Sequence, residues 1–180
     1  MTSVAAVATP PGRPYAKATM ALQIAVIGGS ESSESVTSDA EAVGAALARA
    51  GAVVVCGGLG GVMEAACRGA KSAGGLTVGL LPGTDRAAAN PWVDVVVPTG
   101  LGEARNVLVV RSAAAVIALD GEYGTLSEIA LALRAGTAVI GLGTWSLTRP
   151  DGERDPGIVA VDDPGDAAEI ALQLASPDRS

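Results

Sequence analysis

Glu128, Thr125, Gly124 and Gly121 are the residues whose types and spacing best suit chemistry. They close the stretch Ala115-Val-Ile-Ala-Leu-Asp-Gly-Glu-Tyr-Gly-Thr-Leu-Ser-Glu128. Glycines let the turn from Gly121 to Gly124 present backbone N–H groups outward, and a helix start adds its positive dipole end, so the turn can hold an anion. A carboxylate at Glu128, one turn into that helix, can face whatever the turn holds. The run Thr125-Leu-Ser-Glu128 also fits a capping box, with Thr bonding three residues ahead and Glu reaching back. On this fragment alone the two readings stand side by side.

The elements that position these residues follow from pattern. Ala115 to Leu119 is an apolar run too short for a helix and right for a buried strand, and Leu126, Ile129, Ala130 and Leu133 recur at helical spacing after it. The same alternation runs along the chain. Strands are expected at Leu22–Ile27, Ala52–Cys56, Leu76–Leu81, Asp94–Val97, Thr137–Gly141 and Ile158–Val161. Helices are expected from the capping-box match Ser38-Asp-Ala-Glu41 to Ala50, over Val62–Ala73 and Glu103–Ala113, and from Asp163-Pro164 to Ala175. Arg86 to Pro91 reads as irregular, and Trp145 to Gly157 as a polar loop. The pattern predicts a three-layer Rossmann-like α/β fold, with a mainly parallel sheet of six to seven strands and helices on both faces.

Composition narrows the function. The chain is 49% hydrophobic but 2% aromatic with no Phe, so its core is Ala, Val, Leu and Ile, as suits parallel strands covered on both faces. A net charge of −7 argues against nucleic acid as the main partner. The absence of His removes Ser-His-Asp and Cys-His catalysis and every His-bearing metal site. Cys56 and Cys67 are too few for a structural zinc site and read as buried small hydrophobes in a reducing, cytoplasmic setting. Lys17, in a tail, and Lys71, near a helix end, are poor Schiff-base candidates. No apolar stretch has membrane-spanning length. Residues 1–19, rich in Ala, Pro, Gly and Thr, are expected to form a disordered tail before a single domain at 20–176, with 177–180 frayed; the start stays open between Met1 and Met20.

The glycines sort into two groups. Gly51, Gly74, Gly75 and Gly136 follow helices, where capping explains them. Gly28, Gly29, Gly57, Gly58, Gly60, Gly61, Gly83, Gly100, Gly102, Gly121 and Gly124 follow strands. In a parallel sheet those strand ends share one edge, where open α/β sheets bind ligands. Several two-glycine loops at one edge suggest backbone approaching a nucleotide-like or phosphate-bearing ligand. GxGxxG at the first strand and GxxxxGKS are both absent.

The order of Cys56-Gly-Gly-Leu-Gly-Gly-Val-Met-Glu-Ala-Ala, Gly79-Leu-Leu-Pro82, Ala104-Arg105-Asn106 and Gly121-Glu-Tyr-Gly-Thr-Leu-Ser-Glu128 resembles the LOG-like superfamily over about Leu22 to Leu174. That group includes the "Lonely guy" cytokinin riboside 5′-monophosphate phosphoribohydrolases, the molybdenum cofactor carrier proteins, and proteins long labelled lysine decarboxylases. The Arg-Asn pair and Gly-Thr-Leu-Ser-Glu-Ile-Ala-Leu-Ala-Leu look closer to the carrier-like branch. Of the hydrolase signature Pro-Gly-Gly-x-Gly-Thr-x-x-Glu, Gly121, Gly124, Thr125 and Glu128 match, while Asp120 stands for Pro and Glu122 for Gly. Asn106 replaces the Lys of the hydrolases' Arg-Lys pair.

The resemblance implies two functions. As a phosphoribohydrolase, the chain would cleave the N-glycosidic bond of a nucleoside 5′-monophosphate without metal or other required cofactor. Glu128 would stabilise positive charge on the ribose and orient water, and Arg105 would bind phosphate or assist departure of the base. As a non-catalytic carrier, it would hold molybdenum cofactor as cargo. In either case Gly57, Gly58, Gly60, Gly61 and Gly121 to Thr125 would hold phosphate, with Gly28, Gly29, Ser30 and Tyr123 as further contacts. Tyr123 and Trp92 can stack on a base, Glu64 can line the site, and Arg111 reads as structural or as an oligomer contact. Small residues at Ala113, Ala130 and Ala132 permit close helix packing, and the resemblance implies a homodimer or homotetramer; the lack of a spanning apolar stretch makes a membrane partner unexpected.

Overall fold

The computed structural model describes residues 21–176; the expectations for the two termini lie outside the described residues. The elements run β1 (Gln23–Gly28), α1 (Glu34–Arg49), β2 (Val53–Cys56), α2 (Val62–Ser72), β3 (Thr77–Leu81), β4 (Val95–Pro98), α3 (Asn106–Arg111), β5 (Ala115–Leu119), α4 (Tyr123–Ala135), β6 (Ala138–Leu142), β7 (Ile158–Val161) and α5 (Pro164–Ala175). The seven strands form one sheet in the order β4-β3-β2-β1-β5-β6-β7. Every pairing is parallel. The chain therefore has the three-layer Rossmann-like architecture.

The two-residue period of the strands divides the core. Ile24, Val26, Val54, Ile117 and Leu119 face α1, α2 and α5. Ala25, Ile27, Val55, Val116 and Ala118 face α3 and α4, meeting Val109, Val110, Ile129 and Ala132. Both sides of β1 and β5 are buried, which is why those strands read as unbroken apolar runs. Small residues let the helices approach: a Cβ on Gly44 of α1 would overlap the Ala66 carbonyl of α2, and one on Gly69 of α2 would overlap the Glu41 carbonyl of α1. Strand order reverses between β1 and β5, so their carboxyl ends open a crevice between connections leaving in opposite directions.

Local differences from the sequence reading have physical causes. Helix α1 starts at Glu34, not at the capping-box match Ser38, because the Ser33 hydroxyl already accepts from Val36 N–H at 3.4 Å. Arg86 to Ala88 is a turn of 3₁₀-helix, with the Asp85 carboxylate accepting from Ala87 N–H at 2.9 Å. The helix expected at Glu103–Ala113 is split: Gly102–Arg105 is 3₁₀ and only Asn106–Arg111 is α-helical. Helix α4 starts at Tyr123, after Asp120 (φ 47) and Gly121 (φ 106) have turned the chain, and no side chain caps it. Thr125 and Glu128 thus lie inside the helix, and the capping-box reading of them does not hold. No described helix is long and apolar enough to cross a membrane.

Candidate functional site

A cavity of about 510 Å³ opens at the crevice between β1 and β5. The β1 connection contributes Gly28, Gly29, Ser30 and Glu31; the first turns of α4 and the residue before it contribute Glu122, Gly124, Thr125 and Glu128. Gly102, Glu103, Arg105 and Asn106 form a third wall, and Leu59, Met63 and Pro82 complete it.

Arg105 and Glu128 stand against each other in this lining. Arg105 Nη1 lies 3.6 Å from Glu128 Oε1, an ion pair too long for a hydrogen bond. Each residue is only 7% exposed. Burial dominates both groups. It raises the Glu128 carboxyl from 4.5 to about 7, against the pull of Arg105. It also lowers the Arg105 guanidinium from its ordinary value, against the pull of Glu128. Arg105 Nη1 donates to Asn106 Oδ1 at 3.1 Å, while its buried Nε meets no acceptor among the described residues. A buried guanidinium with spare donors is costly for stability and suited to an incoming anion.

Asn106 links the third wall to α4. Its Nδ2 donates to Ser127 Oγ at 3.3 Å, and Ser127 Oγ donates to Gly124 O at 2.7 Å. The residue that replaces the hydrolases' Lys therefore orients Arg105 and ties it to the helix start. A Lys there would supply no acceptor.

The structure brings together Glu128, Arg105, Gly28, Gly29, Ser30, Gly124 and Thr125 as cavity lining. Gly57, Gly58, Gly60, Gly61, Gly121 and Tyr123 are not part of that lining. Several of these glycines instead let protein approach protein. A Cβ on Gly57 would lie 2.5 Å from Arg105 Nη2, so Gly57 makes the seat in which the guanidinium is buried. Gly61 lets α2 begin against the Gly29 and Ser30 backbone, where Val62 N–H donates to Gly29 O at 3.0 Å. Gly121 leaves room for the Thr125 side chain.

Trp92 and Glu64 also lie outside the lining, and Arg111 is exposed. Lys71 pairs with Asp94 at 2.7 Å, which accounts for it structurally. Cys56 and Cys67 are buried free thiols with their sulfurs 3.5 Å apart. No three His, Cys, Asp or Glu side chains gather as a metal-binding group among the described residues.

Sequence reasoning missed Glu31, Leu59, Met63, Pro82 and Glu103 as lining, while Gly102 stood among the strand-end glycines. Pro82 follows a strand and Leu59 lies within the Gly57–Gly61 loop, which was the available signal; Met63 carried none. Four glutamates, Glu31, Glu103, Glu122 and Glu128, face one arginine in the cavity. The first three are exposed at the rim, where water screens them.

A seven-stranded parallel sheet with a crevice at its switch point, bordered by glycines and holding a buried arginine–carboxylate pair, defines a Rossmann-like α/β protein. Within that class the chain belongs to the SLOG cluster4 family, whose model matches residues 21–168. A relative in Archaeoglobus fulgidus, an uncharacterized protein, is 47% identical over 121 residues, covering 67% of this chain and 80% of its own. Among solved structures, the molybdenum cofactor binding protein of the phototrophic bacterium Rippkaea orientalis is 31% identical with a TM-score of 0.79, over 88% of this chain and 99% of that one. The molybdenum cofactor carrier protein of Chlamydomonas reinhardtii is 34% identical with a TM-score of 0.74, over 85% and 98%. The resemblance to the carrier-like branch is thus present across the whole fold.

Proposed function

We propose that this protein binds a phosphorylated pterin of the molybdenum cofactor type as cargo, without transforming it. The observation that carries this reading is the near full-length match to two proteins described as binding or carrying that cofactor. The cavity's chemistry supports it. The phosphate would meet the N–H groups at the start of α4 and the underused donors of Arg105. A pterin presents an amide N–H beside an exocyclic amino group, a donor pair that a rim carboxylate accepts. Glu103 and Glu122, exposed in the cavity lining, would take that role, which gives the acidic rim a use that a purely anionic ligand would not.

The test is expression in a cell that makes the cofactor, followed by measurement of molybdenum and of fluorescent oxidised pterin in the purified protein. Both are expected near one per chain and strongly reduced in Arg105→Met. A protein that carries neither, and takes up neither when mixed with freshly released cofactor, refutes the carrier.

One observation favours a second reading, the phosphoribohydrolase: Glu128 and Arg105 both line the same cavity, at 3.6 Å from each other. It predicts base release from nucleoside 5′-monophosphates that is lost in Glu128→Gln. Folded protein that releases no base from a broad panel, cytokinin forms included, removes it.

A further inference from the structure

The loop between β6 and β7 does more than connect strands. Thr144 Oγ1 donates to the Asp120 carbonyl at 2.5 Å, and Trp145 Nε1 donates to the Gly121 carbonyl at 3.1 Å. Two adjacent side chains thus hold two adjacent carbonyls of the turn before α4. A trans peptide points its C=O and the next N–H in opposite directions, and no described peptide is cis. Pinning the Asp120 and Gly121 carbonyls toward the β6–β7 loop therefore aims the N–H groups of Gly121 and Glu122 away from it. Neither N–H meets an acceptor among the described residues. Glu122 lines the cavity and Gly121 precedes it directly in the chain without lining it; Thr144 and Trp145 do not line it either, so the two side chains grip the turn from outside.

The grip is built in. Asp120 is the one described residue other than glycine with positive φ, a conformation that needs outside support. Gly141 of β6 lacks a side chain where the Thr144 methyl packs; its Cβ would lie 2.9 Å from Thr144 Cγ2. The Trp145 ring packs at 5.9 Å between centroids from Tyr123, the first residue of α4.

We propose that Thr144 and Trp145 are positioning residues that set the backbone N–H groups of Gly121 and Glu122 as an anion cradle, acting through the turn and touching no ligand themselves. This rests on the reading that the cavity holds a phosphate-bearing ligand. Without the two donors, the Asp120–Gly121 and Gly121–Glu122 peptides are free to rotate and present carbonyl oxygen to the anion, which turns attraction into repulsion.

The test is a titration of inorganic pyrophosphate at millimolar concentration, followed by amide NMR on the wild type, Thr144→Val, Thr144→Ser and Trp145→Phe. In the wild type the Gly121 and Glu122 amides shift on binding. In Thr144→Val and Trp145→Phe the dissociation constant rises about ten-fold, the loss expected for one charge-assisted hydrogen bond. Thr144→Ser, which keeps the hydroxyl, stays close to wild type, a rescue that mere loss of packing would not give. If pyrophosphate binds in the cavity and all variants bind it equally, the positioning role is overturned while the phosphate reading stands. If pyrophosphate leaves the wild-type cavity resonances unmoved, both fall.

Discussion

Arg105 and Glu128 face each other at 3.6 Å, Nη1 to Oε1, with almost no contact with solvent, and neither satisfies the other fully. Removing one partner leaves a buried charge without compensation. Arg105→Met, which keeps the packing of the stem, is expected to cost about 3–5 kcal/mol where Glu128 is ionised. The loss is expected to be smaller at pH 5, where Glu128 takes up a proton and becomes neutral. Urea unfolding of Arg105→Met and wild type at pH 5 and pH 8 checks this. An equal loss at both values would show that the pair is not electrostatically coupled.

Glu128 also sets how the wild type responds to pH. Its carboxyl is raised from 4.5 to about 7 by burial, so between those values the folded protein holds a proton that the unfolded chain has released. Raising pH through that window favours the unfolded chain. Stability is therefore greatest at the acidic end and falls as pH rises toward 7, by an amount on the order of 3 kcal/mol. Glu128→Gln, which cannot ionise, is expected to flatten that slope. Tm measured from pH 4.5 to pH 8 in both proteins decides it; parallel profiles would assign the slope to other groups.

Gly57 carries the seat of Arg105. A Cβ there would lie 2.5 Å from Nη2, 2.7 Å from Nη1 and 2.7 Å from Met63 Sδ. Gly57→Ala is expected to destabilise by about 1–3 kcal/mol, as overpacking does. It also drives the guanidinium toward the cavity, so ligand binding should weaken more than stability alone explains. Ligand affinity at a temperature where the variant is fully folded separates the two effects.

Much of this was legible in the residues, and the limits are physical. The strands show because both faces of β1, β2 and β5 are buried, which leaves unbroken apolar runs. The cavity edge shows because parallel strands put their following glycines at one place. Glu128 and Arg105 stood out by type and position after such loops. Gly57 did not reveal its partner, because a glycine needed for close approach looks the same whether a ligand or an arginine fills the space. The start of α1 lies upstream of the capping-box match at Ser38 because the Ser33 hydroxyl already accepts a helix N–H, and the polar stretch before Ser38 carries no apolar period to announce it. Thr144 and Trp145 were invisible because each reaches a carbonyl 24 residues earlier in the chain, a relation that no local period encodes.

Glu122 carries a charge at the cavity rim whose effect on binding can be tested directly. It stands where the hydrolase signature has glycine, it is exposed, and it lines the cavity beside the turn whose N–H groups would meet phosphate. A like charge near a bound anion lowers affinity, but at an exposed position water and salt screen much of that repulsion. Glu122→Gln is therefore expected to tighten pyrophosphate binding only a few-fold, about 1 kcal/mol or less, with the gain shrinking as salt is raised. The same change is expected to weaken a phosphorylated pterin, because the carboxylate that accepts the pterin's paired donors is gone. Opposite signs for the two ligands, measured by titration calorimetry at low and high salt, would place Glu122 at the heterocycle. Tighter binding of both would place it at the phosphate and leave Glu103 as the rim carboxylate facing the pterin.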